Sequence, residues 1–163
     1  MTSRSKIWLL GGPHTGKTSF LQCLLTNSSV HSKLYRQTAA PEVSLFKKKS
    51  GEIYVLDIPG DDIYFDIAEA HLDQKDASGI IFCYDVTDKD SLSALRKWMA
   101  IWRNFDKERP QHNGLLPVAL VAMKTDLVNR RLITNKQGET LAENLKTKSG
   151  AKNVKYTSFY FMF

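Results

Sequence analysis

A loop with the spacing of a phosphate-binding motif lies near the start of the chain. Gly11 is followed by four residues and then by Gly16-Lys17-Thr18. The glycines let backbone N–H groups converge on a phosphate, Lys17 brings a positive charge to the terminal phosphates, and the Thr18 hydroxyl can bind Mg²⁺. The motif follows an apolar run and opens a helical segment, as this chemistry requires. We predict nucleotide contacts from Gly11, Pro13, His14, Thr15, Gly16, Lys17, Thr18 and Ser19.

Three weaker motifs follow in order along the chain. Asp57-Ile58-Pro59-Gly60 places an aspartate that can bind Mg²⁺ three residues before a glycine whose N–H can reach a terminal phosphate, although Asp-x-x-Gly is also a common turn. Lys124-Thr125-Asp126 ends an apolar strand, and its carboxylate can accept two N–H bonds from guanine that adenine does not offer; a polar strand exit is the alternative. Thr157-Ser158 can supply backbone contacts to a base.

Composition limits the class of protein. The chain has 163 residues, enough for one domain, and an ordinary globular composition. Its net charge of +6 comes from scattered basic residues, and the one tight run, Lys47-Lys48-Lys49, is better explained as a solvated hairpin edge than as a nucleic-acid patch.

Cys23 and Cys83 are predicted to be buried, reduced thiols of a cytoplasmic protein. No acceptor for prenylation or N-myristoylation is present, so we expect no direct lipid anchor and no membrane contact except through a partner.

Strands and helices alternate along the chain, and the apolar strands are continuous, as in parallel sheets covered on both faces. Strands are predicted at 7–10, near 43–45 and 53–55, and at 79–84, 116–122 and 154–162. Helices are predicted at 17–26, 63–71, 91–107 with Ser91 as N-cap, and 134–148 with Thr134 as N-cap. The fold class is therefore α/β, and ligands should bind at the carboxyl ends of the strands.

The ordered motifs resemble those of the Ras superfamily of small GTPases, most closely the Rab type. The similar pieces are "GGPHTGKT", "YRQTAAPEV", "DIPG", "YDVTDKDSL", "MKTD" and "YTSF". The resemblance implies a three-layer P-loop NTPase fold with a mostly parallel six-stranded sheet, GTP or GDP and Mg²⁺ as cofactors, and metal ligands Thr18, Thr38 and Asp57. It implies catalytic roles for Lys17, Thr38, Gly60 and Asp61. It also implies base contacts from Lys124, Asp126, Leu127, Thr157 and Ser158, and from His31, for which a solvated loop histidine is an equal alternative.

Four positions depart from the family pattern. Asp61 replaces the usual glutamine that orients water; because a carboxylate only accepts hydrogen bonds and repels phosphate, slow hydrolysis is predicted. Met123 replaces the usual asparagine, which removes polar contacts worth about 1 kcal/mol while leaving guanine selectivity with Asp126. Ala40 replaces a glycine and is expected to stiffen its loop. Pro13 has no N–H to offer a phosphate.

Pro13, the missing glutamine at position 61 and the stretch "LPVALVAMKTDLVNRR" (116–131) resemble the Rab-like GTPase subunit of the intraflagellar transport complex. That resemblance implies a protein effector or complex subunit as partner, possible obligate heterodimerisation, and a ciliary location. Only "FYFMF" follows Ser158, which is too short for the final helix of the family, so we predict one truncated domain over 1–163 with low stability when isolated. Two other functions stay open: a scaffold subunit with no useful hydrolysis, and, more weakly, an ATP-using kinase or ATPase.

Overall fold

The computed structural model describes residues 3–26, 38–48, 51–72, 77–107, 116–149 and 154–158. Six strands and four α-helices alternate in these ranges: β1 (Ser3–Leu10), α1 (Lys17–Thr26), β2 (Glu42–Lys48), β3 (Gly51–Asp57), α2 (Phe65–Leu72), β4 (Gly79–Asp85), α3 (Asp90–Lys107), β5 (Val118–Met123), α4 (Asn135–Ser149) and β6 (Val154–Ser158). Single 3₁₀ turns at Asp62–Tyr64 and Val128–Arg130 precede α2 and α4. No helix in the described ranges has both the length and the apolar composition needed to cross a bilayer.

The strands form one sheet in the order β2-β3-β1-β4-β5-β6. Only β2 runs antiparallel to its neighbour among the described strands, and every other pair is parallel. The predicted mostly parallel, six-stranded α/β fold is therefore confirmed. Because the parallel strands end at the same edge, the loops after β1, β3, β4 and β5 meet there, beside the end of β6 at Ser158.

The core has two layers because successive strand residues point to opposite faces of the sheet. On one face, β1 contributes Trp8 and Leu10 to a large cluster with side chains of α2, α3 and α4. On the other face, Leu9 joins a smaller cluster with Leu21 of α1 and Met123 of β5. Helices thus cover both faces, as predicted.

The structure corrects three local predictions. Cys23, predicted to be buried, is half-buried, whereas Cys83 is buried. The helix predicted from Ile63 begins with a 3₁₀ turn, and its α-helical part starts at Phe65. Ser91 is not the N-cap of α3: it lies inside the helix, buried, where its hydroxyl donates to the Asp88 carbonyl and accepts from the Asp85 N–H. The Asp88 carboxylate instead accepts the Asp90 N–H at the helix start.

The predicted N-cap of α4 is correct, because Thr134 and Gln137 exchange hydrogen bonds as a capping box.

Two tyrosines and a glycine hold the edge strand β6 in place. The Tyr156 hydroxyl lies 3.2 Å from the Tyr84 hydroxyl. Both hydroxyls contact the backbone of α4 at Gly138, where any Cβ would overlap them. This contact fixes β6, and with it Thr157 and Ser158, against α4.

Candidate nucleotide-binding site

The phosphate loop leaves β1 and returns directly into α1. Lys17 is the first residue of that helix, and its side chain is only 6% exposed. Its Nζ donates to the carbonyl oxygens of Gly11 at 3.0 Å and Gly12 at 2.9 Å. Burial lowers the pKa of the Lys17 ammonium, and the carboxylate of Asp57 opposes that shift. The loop therefore presents a poorly solvated ammonium. Its attraction to an anion is stronger than that of an ammonium in bulk water.

The backbone of the loop is curled as phosphate binding requires. Gly16 has φ 94°, and His14 has φ 57° although it carries a side chain. A left-handed non-glycine residue stores strain, and such residues concentrate at functional sites. The Thr15 hydroxyl braces the curl by donating to the Gly12 carbonyl at 3.0 Å. Helix α1 adds the positive end of its dipole beside this loop.

Three oxygens converge beside the loop. Thr18 Oγ1 lies 2.5 Å from Asp57 Oδ2 and donates its single proton there. The 2.7 Å bond between the hydroxyls of Thr18 and Thr38 must then be donated by Thr38. Burial raises the pKa of the Asp57 carboxyl, and the hydrogen bond from Thr18 opposes that shift.

This set of oxygens fits Mg²⁺. Within the described residues, the other Asp57 oxygen, Oδ1, is buried and has no hydrogen-bond partner. A buried orphan carboxylate oxygen is costly unless a ligand or cation satisfies it. Hydroxyl and carboxylate oxygens are the ligands that Mg²⁺ prefers, alongside water and phosphate. Thr18, Thr38 and Asp57 are the residues that would hold the ion, which would neutralise charge on the terminal phosphates.

The loop after β3 lies directly on the phosphate loop. A Cβ on Gly60 would overlap the Gly12 carbonyl and the Pro13 nitrogen. Gly60 is therefore in backbone-to-backbone contact with the phosphate loop, and Asp61 follows it immediately. Asp61 is half-buried and close enough to Lys17 for its carboxylate to act on the pKa of that ammonium, in the same direction as Asp57.

The residues after Gly60 contact two other parts of the chain, the segment at Thr38 and helix α3. The Tyr64 hydroxyl donates to the Ala39 carbonyl, one residue after Thr38. Lys97 of α3 donates to Asp62 at 2.7 Å, and its ammonium lies 5.7 Å from the centre of the Phe65 ring. The segment at 61–65 thus contacts both the Thr38 segment and α3.

Residues 124–127 follow β5 and include predicted base contacts, so we call them the base-recognition loop. Lys124 has φ 59°, and its Nζ pairs with Asp85 Oδ2 at 2.6 Å. Leu127 N–H closes the turn by donating to the Lys124 carbonyl at 3.1 Å. Met123 is fully buried in the apolar cluster beneath α1, so it makes no polar contact with the loop. Register places Ser158 of β6 opposite Ala122, beside this loop.

A statistical description of the Ras family matches residues 6–156 of the chain, which include the phosphate loop, the Asp57–Gly60 segment and the loop after β5. The chain belongs to the Ras family. Three relatives refine the comparison. An "Intraflagellar transport protein 27 homolog" of Trypanosoma brucei brucei is 29% identical over 150 residues, which cover 89% of this chain and 77% of the relative. The mouse homolog of the same name is 26% identical, with coverage of 85% and 74%. "Ras-related protein RabC" of Dictyostelium discoideum is 29% identical, with coverage of 88% and 71%.

This Ras-family domain brings most of the predicted site residues to one edge of the sheet. They are Gly11, Pro13, His14, Thr15, Gly16, Lys17, Thr18, Ser19, Thr38, Asp57, Gly60, Asp61, Lys124, Asp126, Leu127, Thr157 and Ser158. Their contacts with a nucleotide stay predictions. His31 and the aromatic residues after Ser158 lie outside the described residues.

Sequence reasoning missed three residues of this site. Asp85 and Arg131 brace the base-recognition loop, since Asp85 pairs with Lys124 and Arg131 Nη2 approaches the Thr125 carbonyl at 3.5 Å. Tyr64 joins the Gly60 loop to the Thr38 segment. Asp85 could have been found, because it ends an otherwise apolar strand at the edge where the ligand is expected. Nothing in the local sequence marks the contact of Arg131 with Thr125 or that of Tyr64 with Ala39.

Proposed function

We propose that this Rab-like small GTPase is a guanine-nucleotide switch that binds GTP or GDP with Mg²⁺. The observation that carries the proposal is the convergence of Thr18, Thr38 and Asp57 beside the buried ammonium of Lys17. A terminal phosphate and Mg²⁺ would hold the segments around Thr38 and Gly60, and their loss would release them. Tyr64 supports this coupling because it already links the two segments.

A protein partner would recognise the ordered form. Four large apolar side chains are exposed on β2, which is one of the two edge strands, and on the segment after Gly60. They are Val43, Leu45, Ile63 and Ile67. Two of the relatives carry the name of an intraflagellar transport protein. We therefore propose that the chain is a subunit or ligand of a protein complex in intraflagellar or membrane transport, with a ciliary location.

The nucleotide that co-purifies with the protein tests this function. We expect GDP or GTP at close to one per chain in the supernatant of the denatured protein, separated by anion exchange. An adenine nucleotide at that ratio would contradict guanine recognition by Asp126. A protein that arrives empty and takes up no labelled GTP would favour the second function, a scaffold subunit. That alternative is supported by the apolar burial of Met123, which leaves the base-recognition loop without the usual asparagine.

Hydrolysis of GTP is expected to be slow because of Asp61. This residue follows the Gly60 contact with the phosphate loop, and its carboxylate repels an incoming terminal phosphate. Asp61→Gln should raise the single-turnover rate at least about tenfold, since it removes the repulsion and supplies an amide that can donate and accept. Asp62→Asn is the matched control, because Asp62 faces Lys97 instead, and it should leave the rate unchanged. Equal rates for Asp61→Gln and the unmodified protein would contradict the role given to Asp61.

A further inference from the structure

Asp85 is a buried carboxylate outside the phosphate and Mg²⁺ contacts. It ends β4 and is 4% exposed. Its Oδ1 accepts the N–H and the hydroxyl of Thr87 at 2.8 and 2.7 Å. Its Oδ2 lies 2.6 Å from Lys124 Nζ. One carboxylate therefore joins the turn after β4 to the base-recognition loop after β5.

This ion pair is not explained by stability alone. Taking the Asp85 carboxylate out of water is costly, and Lys124, whose side chain is 29% exposed, returns only part of the attraction that a fully buried cation would give. Lys124 also has φ 59°, a left-handed conformation that costs a lysine about 1–2 kcal/mol. A strained residue held by a buried charge is typical of a functional site, where a defined geometry is needed.

The base-recognition loop needs such a tie because Met123 supplies none. Met123 packs into the apolar cluster with Leu21 and Cys83, so its side chain faces α1 and not the loop. Asp85 pairs with Lys124, and Arg131 bonds to the Thr125 carbonyl. The Arg131 bond is long, at 3.5 Å to the Thr125 carbonyl, whereas the Asp85 pair is short and charge-assisted.

We propose that Asp85 is a positioning residue for guanine recognition. By holding Lys124 it fixes the loop so that the Asp126 carboxylate meets the N–H groups of the guanine edge. It replaces the tether that an asparagine at position 123 would provide. The inference rests on the proposed guanine-nucleotide function and adds a residue that determines its base specificity.

Asp85→Asn tests the proposal, because the amide keeps an acceptor for Thr87 and removes the charge that faces Lys124. The dissociation constants of GDP and IDP are measured for each variant by competition with a fluorescent GDP. Inosine lacks the 2-amino group, so the ratio of the IDP dissociation constant to the GDP dissociation constant reports on the second hydrogen bond to Asp126. We expect the GDP constant to rise about tenfold in Asp85→Asn, the IDP constant to rise less, and the ratio to fall several-fold.

Asp88→Asn is the matched control. Asp88 lies on the same turn, is exposed, and accepts the Asp90 N–H, so the change removes the same charge without touching the Lys124 pair. Both constants should be unchanged. A general loss of stability would raise both constants of Asp85→Asn equally, and an unchanged ratio would overturn the proposal.

A milder variant covers the case in which Asp85→Asn does not fold. Thr87→Val removes one bond to Asp85 and leaves its charge in place, and the ratio should fall about two- to threefold. No fall in that ratio would also overturn the role of Asp85. The unmodified protein is measured first: if it does not bind GDP, the proposed function itself has failed, which is a different result from an unchanged ratio.

Discussion

Lys17→Ala should lower the affinity for GTP by about 10²–10⁴-fold. A hydrogen bond to a charged group is worth about 1.5–3 kcal/mol, and a lysine at this position makes about two of them to the terminal phosphates. The effect should reach this range because the ammonium is buried and already oriented by the Gly11 and Gly12 carbonyls. An oriented, poorly solvated cation loses little freedom or hydration when the phosphate arrives.

The measurement is equilibrium binding of a fluorescent GTP analogue at fixed Mg²⁺ and ionic strength. Lys146→Ala removes the same charge from an exposed side chain that pairs with Glu143 on α4, and it should leave affinity unchanged. A thermal melt of both apo variants separates lost binding from lost folding. Affinity within a few-fold of the unmodified protein in a folded Lys17→Ala variant would show that this loop does not hold the triphosphate.

Asp57→Asn should abolish the effect of Mg²⁺ on nucleotide release. In the unmodified protein, chelation of Mg²⁺ is expected to accelerate GDP release by about 10–100-fold, which corresponds to one charged contact of about 1.5–3 kcal/mol. The asparagine keeps an oxygen that can accept the Thr18 proton, but it removes the charge that a divalent cation needs. Release from the variant should therefore be fast, and it should be nearly the same with and without EDTA.

Stopped-flow release of a fluorescent GDP, with and without EDTA, gives both rates. Asp66→Asn is the control: this acid is exposed in the first turn of α2, and its removal should preserve the response to EDTA. If chelation still accelerated nucleotide release from Asp57→Asn, the result would contradict the proposal that the buried Oδ1 of Asp57 helps to hold Mg²⁺.

The sequence predicts the fold well because its signals are local and repeated. Continuous apolar strands such as 79–84 can only be buried between two helical layers, and the structure places β4 in that position. The end of a strand followed by Gly-x-x-x-x-Gly-Lys-Thr likewise fixes where the phosphate loop must lie. The start of α3 is harder to predict. Ser91 has the residue type of an N-cap, but its hydroxyl bonds to the backbone of Asp85 and Asp88 in the turn after β4.

The contacts within the site depend on packing between distant segments, which a single sequence does not record. Lys124 is predicted from the sequence to contact the base, but nothing in the sequence indicates that its ammonium pairs with Asp85, 39 positions earlier. Met123 was recognised as a departure from the family pattern, but its burial beneath α1 could not be read from its type alone. The single proton of Thr18 could be assigned only once Thr38 and Asp57 were placed on either side of it.

The contact between Gly60 and the Gly12–Pro13 peptide has a consequence for how this chain can diverge. Two backbones meet there with no side chain between them, so neither loop can change its path without the other. Position 60 admits only hydrogen as a side chain, and Pro13 removes the torsional freedom by which the facing loop could retreat. Substitutions at this seam are therefore expected to be tolerated only as paired changes, whereas a change of side chain at Asp61, one residue away and half-buried, leaves this backbone contact in place.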